Sequence, residues 1–169
     1  MMGDLLLIID MQEGFRAKES EKILPNILKL KKEFRGKIVF SKFINKKNSL
    51  FEKQLNWTKF QNKKEKKIFL ELQFPNNKEI KHQKYTVLNN NLKNFIKKNK
   101  ITRIYLTGIY TDVCIIKTAM DLFDKNIKTF VIKNACGSPH GKKNHNFAID
   151  SLKHILGKKH IISTKEACL

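Results

Sequence analysis

The chain has 169 residues, enough for one domain with a substantial core, and 41% of them are hydrophobic. No apolar run approaches membrane-spanning length and the first residues do not resemble a signal peptide, which favours a cytoplasmic protein without a membrane partner. The formal net charge of +20 would suit nucleic-acid binding, but the lysines are spread along the chain without an accompanying nucleic-acid-binding motif, so we expect no nucleic-acid partner.

Segments typical of strands and helices alternate along the chain. Residues 4–9 are a continuous apolar run, as expected of a strand buried on both faces. The pattern then predicts a helix at 21–34, a strand at 37–43, a helix at 89–98, a strand at 103–107, a helix at 111–125, a strand at 128–133, a helix at 142–156 and a strand at 160–163. This alternation predicts an α/β fold, in which a parallel sheet is covered by helices on both sides.

Residues 45–83 interrupt the alternation. They are rich in Lys, Asn and Gln, and aromatic residues such as Phe51 and Trp57 are placed among them. A long irregular segment inside a compact domain is usually functional, so we expect a substrate lid or an interface here. Because no linker divides the chain, we expect residues 1–169 to form a single domain.

A cysteine lies where a strand turns into a helix. Cys114 follows the strand at 103–107 and precedes a helical pattern, so the helix N-terminus favours its thiolate, which is the nucleophilic form. The alternative is a small buried cysteine without chemistry. The other cysteines, Cys136 and Cys168, form no C-x-x-C pair with it, which argues against a disulfide framework or a zinc site.

Two further residues are expected near Cys114. Asp10 ends the first strand, and Lys84 comes just before the helix that leads into the strand at 103–107. The carboxyl ends of parallel strands meet at one edge of the sheet, where α/β proteins place their sites. There Asp10 would act as general base for the Cys114 thiol. The Lys84 ammonium would favour the ionised forms of both groups, the carboxylate and the thiolate. Backbone N–H groups before Cys114 would bind an oxyanion.

Several motifs resemble one protein family. They are LLLIIDMQEGF at 5–15, KYT at 84–86, LTGIYTDVCIIKTAMDLFD at 106–124, NACGS at 134–138 and HNFAIDSLKHILG at 145–157. In this order they resemble the isochorismatase-like cysteine hydrolases, which include nicotinamidases and N-carbamoylsarcosine amidase. The resemblance implies a three-layer αβα sandwich around a six-stranded parallel sheet with Rossmann-like strand order, and a homodimer or larger homo-oligomer.

The resemblance also implies roles for particular residues. The catalytic triad would be Asp10, Lys84 and Cys114. A cis peptide bond would precede Tyr110, and the backbone amides of Tyr110 and Cys114 would form the oxyanion hole. Phe15, Trp57 and Tyr110 are candidate walls of the substrate pocket, with core packing as the alternative for the first two.

One departure from the family pattern concerns a metal. Family nicotinamidases hold a divalent metal with a D-x-H pair after the second strand, whereas residues 42–48 read KFINKKN, without Asp or His. We therefore expect no metal and no cofactor. The sequence leaves open whether His82 or the late histidines bind a metal: His140, His145, His154 and His160.

Together these features predict an enzyme that hydrolyses a C–N bond of a small amide or ureido compound. Family members that act on isochorismate itself commonly lack this cysteine. The presence of Cys114 therefore favours acyl chemistry, in which Cys114 would form a thioester acyl-enzyme. Two alternatives remain: a nicotinamidase-type amidase with an atypical or absent metal site, and a non-catalytic family member that serves as a binding or assembly protein.

Overall fold

The structure is a computed structural model that describes residues 3–168. It contains six strands: β1 (Gly3–Ile9), β2 (Lys37–Phe43), β3 (Lys78–His82), β4 (Ile101–Ile109), β5 (Lys128–Gly137) and β6 (Ile161–Ile162). The helices are α1 (Lys18–Glu33), α2 (Leu50–Lys53), α3 (Asn90–Lys98), α4 (Ile116–Phe123), α5 (Lys142–Leu156) and α6 (Thr164–Ala167). None of the helices among residues 3–168 has the length and apolar character needed to cross a membrane.

All six strands pair in parallel, in the order β3-β2-β1-β4-β5-β6. The chain moves outward from β1 to β3 in one direction and then from β4 to β6 in the other. The direction therefore reverses between β1 and β4, and the crevice at their carboxyl ends is where open α/β sheets bind ligands. The predicted α/β fold with a six-stranded parallel sheet is confirmed.

Helices cover both faces of the sheet. On one face, α3, α4 and α5 bring buried residues such as Leu92, Ala119 and Leu152 against the odd-numbered side chains of β1. On the other face, α1 packs Ile27 and Leu30 against the alternate side chains of the same strand. Since β1 is buried on both faces, its continuous apolar run follows directly from its central position.

The segment at 45–83 is more ordered than its composition indicates. It contributes edge strand β3, which the sequence pattern did not predict, in addition to α2 and a short 3-10 turn at Leu70–Leu72. Within β3 only Ile80 and His82 are buried, and Lys78 and Lys81 are exposed. An edge strand with one buried apolar residue shows almost no hydrophobic pattern, because backbone pairing to β2 defines it.

Gln12 attaches this segment to the central strands. Its side-chain amide donates to the carbonyl oxygens of Phe43, at 3.1 Å, and Lys66, at 3.2 Å, while its carbonyl oxygen accepts from the Phe43 N–H at 2.7 Å. Its backbone also forms an isolated bridge with Ile68. Gln12 is fully buried, so these bonds form without competition from water. They hold the segment over the carboxyl edge of the sheet.

Candidate functional site

Three chain segments meet at the carboxyl edge of the sheet. Asp10 directly follows β1, His82 is the last residue of β3, and Cys114 lies in the turn after β4. Strands β1 and β4 are neighbours at the point where the strand order reverses. The structure therefore brings two of the three predicted triad residues, Asp10 and Cys114, to the same crevice.

Asp10 is held by a serine on the neighbouring strand. Its backbone has a φ of +52°, which turns the chain away from β1, and its N–H donates to the Ser41 hydroxyl at 3.0 Å. The same hydroxyl donates to Oδ1 of the Asp10 carboxylate. Both residues are fully buried. Ser41 therefore fixes both the backbone and the side chain of Asp10, a role that the sequence analysis did not assign to it.

His82 contacts the same carboxylate oxygen. Its Nε2 lies 2.8 Å from Asp10 Oδ1, and its Nδ1 lies 2.8 Å from the carbonyl oxygen of Lys84. Burial lowers the pKa of His82, but the charge of Asp10 and the hydrogen bonds to Asp10 and to the Lys84 carbonyl outweigh it, so the pKa is raised above its usual value.

Lys84 is not brought to the carboxylate. It lies at a bend two residues beyond the end of β3 and is exposed, and it reaches the site only through its backbone carbonyl. Among residues 3–168 the ion pair with Asp10 is made by His82. The alternation of buried and exposed residues in β3 explains the difference, because it turns His82 inward before the chain leaves the sheet. His82 was the only histidine before Cys114 in the sequence, and that is the signal by which it could have been found.

The turn after β4 has an unusual backbone. The peptide bond between Ile109 and Tyr110 is cis, and residues Thr111–Ile115 form a single π-helical turn before α4 begins. The Tyr110 carbonyl accepts the N–H of Val113 at 3.3 Å and of Ile115 at 3.0 Å. The predicted helix at 111–125 therefore starts with a wider turn, which carries Cys114.

The electrostatics of Cys114 differ from the sequence-based expectation. The residue is 7% exposed, and burial together with the negative charge of Asp10 raises the pKa of its thiol well above the usual value. A hydrogen bond from the Tyr110 backbone acts in the opposite direction without reversing the shift. The expectation of a thiolate favoured by the helix N-terminus is wrong for this environment. The resting group is a protonated thiol beside a carboxylate.

Cys114 opens into a cavity of about 270 Å³. Phe15, Trp57 and Tyr110, the three predicted pocket residues, all line it. Phe15 and Trp57 are nearly parallel, at 15° and 6.1 Å between ring centroids, and Tyr110 meets Phe15 edge-on at 5.3 Å. The remaining lining residues are Phe43, Phe51, Leu55, Tyr85, Val113 and His140. The volume and the aromatic walls suit a small, flat or apolar molecule.

A histidine also lines this cavity. His140 Nδ1 lies 2.7 Å from Asp112 Oδ2, and its ring lies 5.0 Å from the Tyr110 ring. Burial raises the pKa of Asp112, but hydrogen bonds from Ser138 and His140 lower it by more, so the net shift is downward. His145 instead contacts the Thr111 hydroxyl at 2.9 Å. These two histidines are thus tied to the turn that carries Cys114.

The side chains after β2 do not fit the divalent metal that the family resemblance implies for nicotinamidases at this position. The Asn45 amide donates to the Trp57 carbonyl at 2.9 Å, and its oxygen accepts from Ser49 at 2.6 Å, so its polar atoms are occupied. No cluster of three or more His, Cys, Asp or Glu with metal-binding geometry occurs among the described residues. The reaction proposed below therefore uses no metal at this position.

Comparisons with known proteins agree with this architecture. The isochorismatase domain model matches residues 4–166. A comparison with curated protein sequences gave no match. Solved structures with the same fold include an isochorismatase-like hydrolase from Alkaliphilus metalliredigens, with 17% identity, a TM-score of 0.86 and coverage of 97% of this chain and 96% of that one.

Two amidases share the fold as well. Nicotinamidase from Bacillus subtilis is 21% identical, with a TM-score of 0.83 and coverage of 96% of this chain and 99% of that one. N-carbamoylsarcosine amidase from Thermoplasma acidophilum is 17% identical, with a TM-score of 0.83 and coverage of 96% of both chains. At these identities the structures establish the fold, and the domain model, which spans nearly the whole chain, establishes the family. The chain belongs to the isochorismatase family of hydrolases.

Proposed function

We propose that the protein hydrolyses a small, uncharged amide or ureido compound through a thioester on Cys114, with Asp10 as the general base. One observation carries the proposal. Oδ1 of the buried Asp10 carboxylate is occupied by Ser41 and His82, whereas Oδ2 is buried and has no hydrogen-bond partner among the described residues. A buried carboxylate oxygen without a partner is costly to the folded state, and a catalytic role is one reason for such an atom to be retained.

The proposed reaction starts from the protonated thiol. As Sγ of Cys114 attacks the substrate carbonyl carbon, the thiol proton moves to Oδ2 of Asp10. The thiol can therefore react despite its raised pKa, because the base removes its proton during the attack. The oxyanion would be held by the backbone amides of Tyr110 and Cys114, and such a donor typically contributes about 3 kcal/mol.

The second half of the reaction returns the same proton. Asp10 gives it to the leaving nitrogen as the C–N bond breaks, which leaves the thioester and releases the amine or ammonia. Asp10 then takes a proton from water as the water attacks the thioester carbon. The C–S bond breaks, the thiol regains a proton from Asp10, and the carboxylic or carbamic acid leaves.

Ammonia release over a panel of small amides and ureides tests this proposal. We expect turnover of at least one of benzamide, nicotinamide, acetamide and N-methylurea, with and without a chelator. Cys114→Ala should abolish it, and Asp10→Asn should reduce kcat by roughly 10²–10⁴-fold, the usual contribution of a general base. Mass spectrometry of the acid-quenched enzyme should show the acyl group on the peptide that contains Cys114.

Cys136→Ala is the matched control, because this second buried thiol lies in β5 against the Leu106 carbonyl, away from the cavity wall. It should keep its activity. Turnover that survives in Cys114→Ala would refute the mechanism. A panel without any turnover, in a protein that still binds the amides, would instead support the binding-protein alternative.

A further inference from the structure

The position and hydrogen bonding of His82 assign it a function that the family resemblance gives to a lysine. We propose that His82, in its protonated form, is the cation that holds and charge-balances Asp10; the proposal rests on the function above. His82 acts through Asp10 and is therefore a positioning residue. Three independent observations support this assignment.

The first observation is the proton arrangement of the imidazole. Nδ1 lies 2.8 Å from the Lys84 carbonyl oxygen, which only accepts, so Nδ1 carries a proton. Nε2 lies 2.8 Å from Asp10 Oδ1, which already accepts the Ser41 hydroxyl. A proton on Nε2 therefore gives an imidazolium that donates to a carboxylate, with all polar atoms of the ring satisfied.

The second observation is burial. The side chains of His82 and Asp10 are 1% and 0% exposed, so the carboxylate has little solvent to stabilise its charge. A buried carboxylate needs a paired, hydrogen-bonded cation. Among the described residues His82 is the one that forms an ion pair with it, and the exposed Lys84 contributes only a carbonyl oxygen.

The third observation concerns the surroundings of the ring. The edge of Phe43, from β2, faces it at 5.5 Å and carries no charge. Asp10, which directly follows β1, is the charged group in contact with the ring. On the other side a separate surface cavity, which His82 also lines, places lysines around it: Lys81, Lys84 and Lys93. Exposed ammonium groups oppose protonation of His82 only weakly because solvent screens them.

A histidine cation makes kcat/KM depend on pH in a different range from a lysine cation. Histidine loses its charge as the pH rises through its pKa, whereas lysine keeps its charge to about pH 10. The pKa of His82 is raised above its usual 6.5, so the cation is present below that raised value and is lost above it. We expect kcat/KM to fall on the alkaline side because Asp10 loses its partner, at a pH well below that of a lysine-based site.

A titration without substrate tests the charge state. Histidine labelled with ¹⁵N would be followed by NMR from pH 5 to 10, with the His82 resonances assigned through His82→Gln. We expect His82 to be doubly protonated at neutral pH and to titrate above 6.5, with Asp10→Asn lowering its pKa. A neutral His82 at pH 6, or a titration that Asp10→Asn leaves unchanged, would overturn the proposal whether or not a substrate is known.

A kinetic series tests the function with the best amide of the panel. We expect His82→Lys to retain kcat/KM within about tenfold of the wild type and to move the alkaline limb upward by two or more pH units. His82→Gln, which keeps hydrogen bonding without the charge, should lose at least a hundredfold. Circular dichroism would verify that each variant is folded.

Lys84→Ala and Lys81→Ala are the matched controls, since both remove an exposed lysine next to His82. Both should keep the wild-type rate and pH profile. A loss of activity in Lys84→Ala alone, with His82→Gln unaffected, would make Lys84 the cation and refute the proposal. Turnover in Cys114→Ala would refute the proposed function separately, while the NMR result would stand.

Discussion

At the scale of single residues, the two oxygens of Asp10 have opposite environments. Oδ1 receives Ser41 and His82, and Oδ2 has no partner among the described residues. In the proposed mechanism, the occupation of Oδ1 leaves Oδ2 as the oxygen that accepts the thiol proton. Since the pKa of the Cys114 thiol is raised, the proposed mechanism depends on the position of Asp10 as the base more than on a stable thiolate.

The variant Ser41→Ala tests whether the position of the Asp10 carboxylate matters for activity. The change removes the acceptor of the Asp10 N–H and a donor to Oδ1, which leaves buried groups without partners, at a cost of about 1–3 kcal/mol in the free energy of unfolding. We expect this loss in urea unfolding and also a kcat reduced at least tenfold. The control is Thr129→Val, which removes a buried hydroxyl at the opposite end of the sheet. It should lower stability alone; equal kcat losses in both variants would contradict the assignment of Ser41.

The sequence predicted part of this site and missed part of it for a physical reason. Asp10 follows a long apolar run, and Cys114 follows a shorter one at 104–106 that leads into a strand-to-helix turn, so their places at the sheet edge could be predicted. His82 ends a strand that shows no such run, so its contact with Asp10 could not be predicted, and the sequence pattern favoured Lys84, two residues further along, as the cation. Ser41 lies inside β2, and its contact with Asp10, which directly follows β1, becomes evident only from the register of the two strands.

At the scale of elements, the site depends on the close approach of β1 and β4. Gly108 pairs with Ile9 and has a φ of +111°. A Cβ atom at position 108 would lie 2.1 Å from the Ile9 carbonyl oxygen and 2.8 Å from its nitrogen. Only glycine allows the two strands to end side by side. The residues that follow them, Asp10 and the turn with Cys114, are therefore held in contact by this pairing.

Gly108→Ala should separate the two strand ends. We expect a reduced free energy of unfolding and loss of activity in whatever fraction remains folded, because backbone atoms of Ile9 cannot move without displacing Asp10. Gly141→Ala is the matched control, since Gly141 has a φ of +99° but no atom within 4 Å of a new Cβ. Both variants carry the strain of positive φ, about 1–3 kcal/mol. Urea unfolding that gives equal losses for the two would show that the contact with Ile9 is unimportant.

At the scale of the whole molecule, the protein is strongly positive, whereas the residues that line its cavity are mostly uncharged. The chain has a formal net charge of +20, yet none of the described residues that line the cavity is Lys, Arg, Asp or Glu. His140 on its wall is paired with Asp112, and burial raises the pKa of Tyr110, which keeps its phenol neutral. The positive field therefore acts at the surface, while among the described residues no lysine or arginine lines the cavity to neutralise an anionic substrate.

A comparison of neutral and anionic substrates tests this separation. A carboxylate that enters the cavity must give up water without gaining a charged partner, which costs several kcal/mol. We expect kcat/KM for benzamide to exceed that for its 4-carboxy derivative by at least a hundredfold. Between 20 mM and 500 mM NaCl, kcat/KM for benzamide should stay constant within about twofold, because salt screens only interactions with charged ligands. Comparable turnover of the carboxylate would mean that a lysine reaches the cavity, since only a cation there could replace the lost hydration.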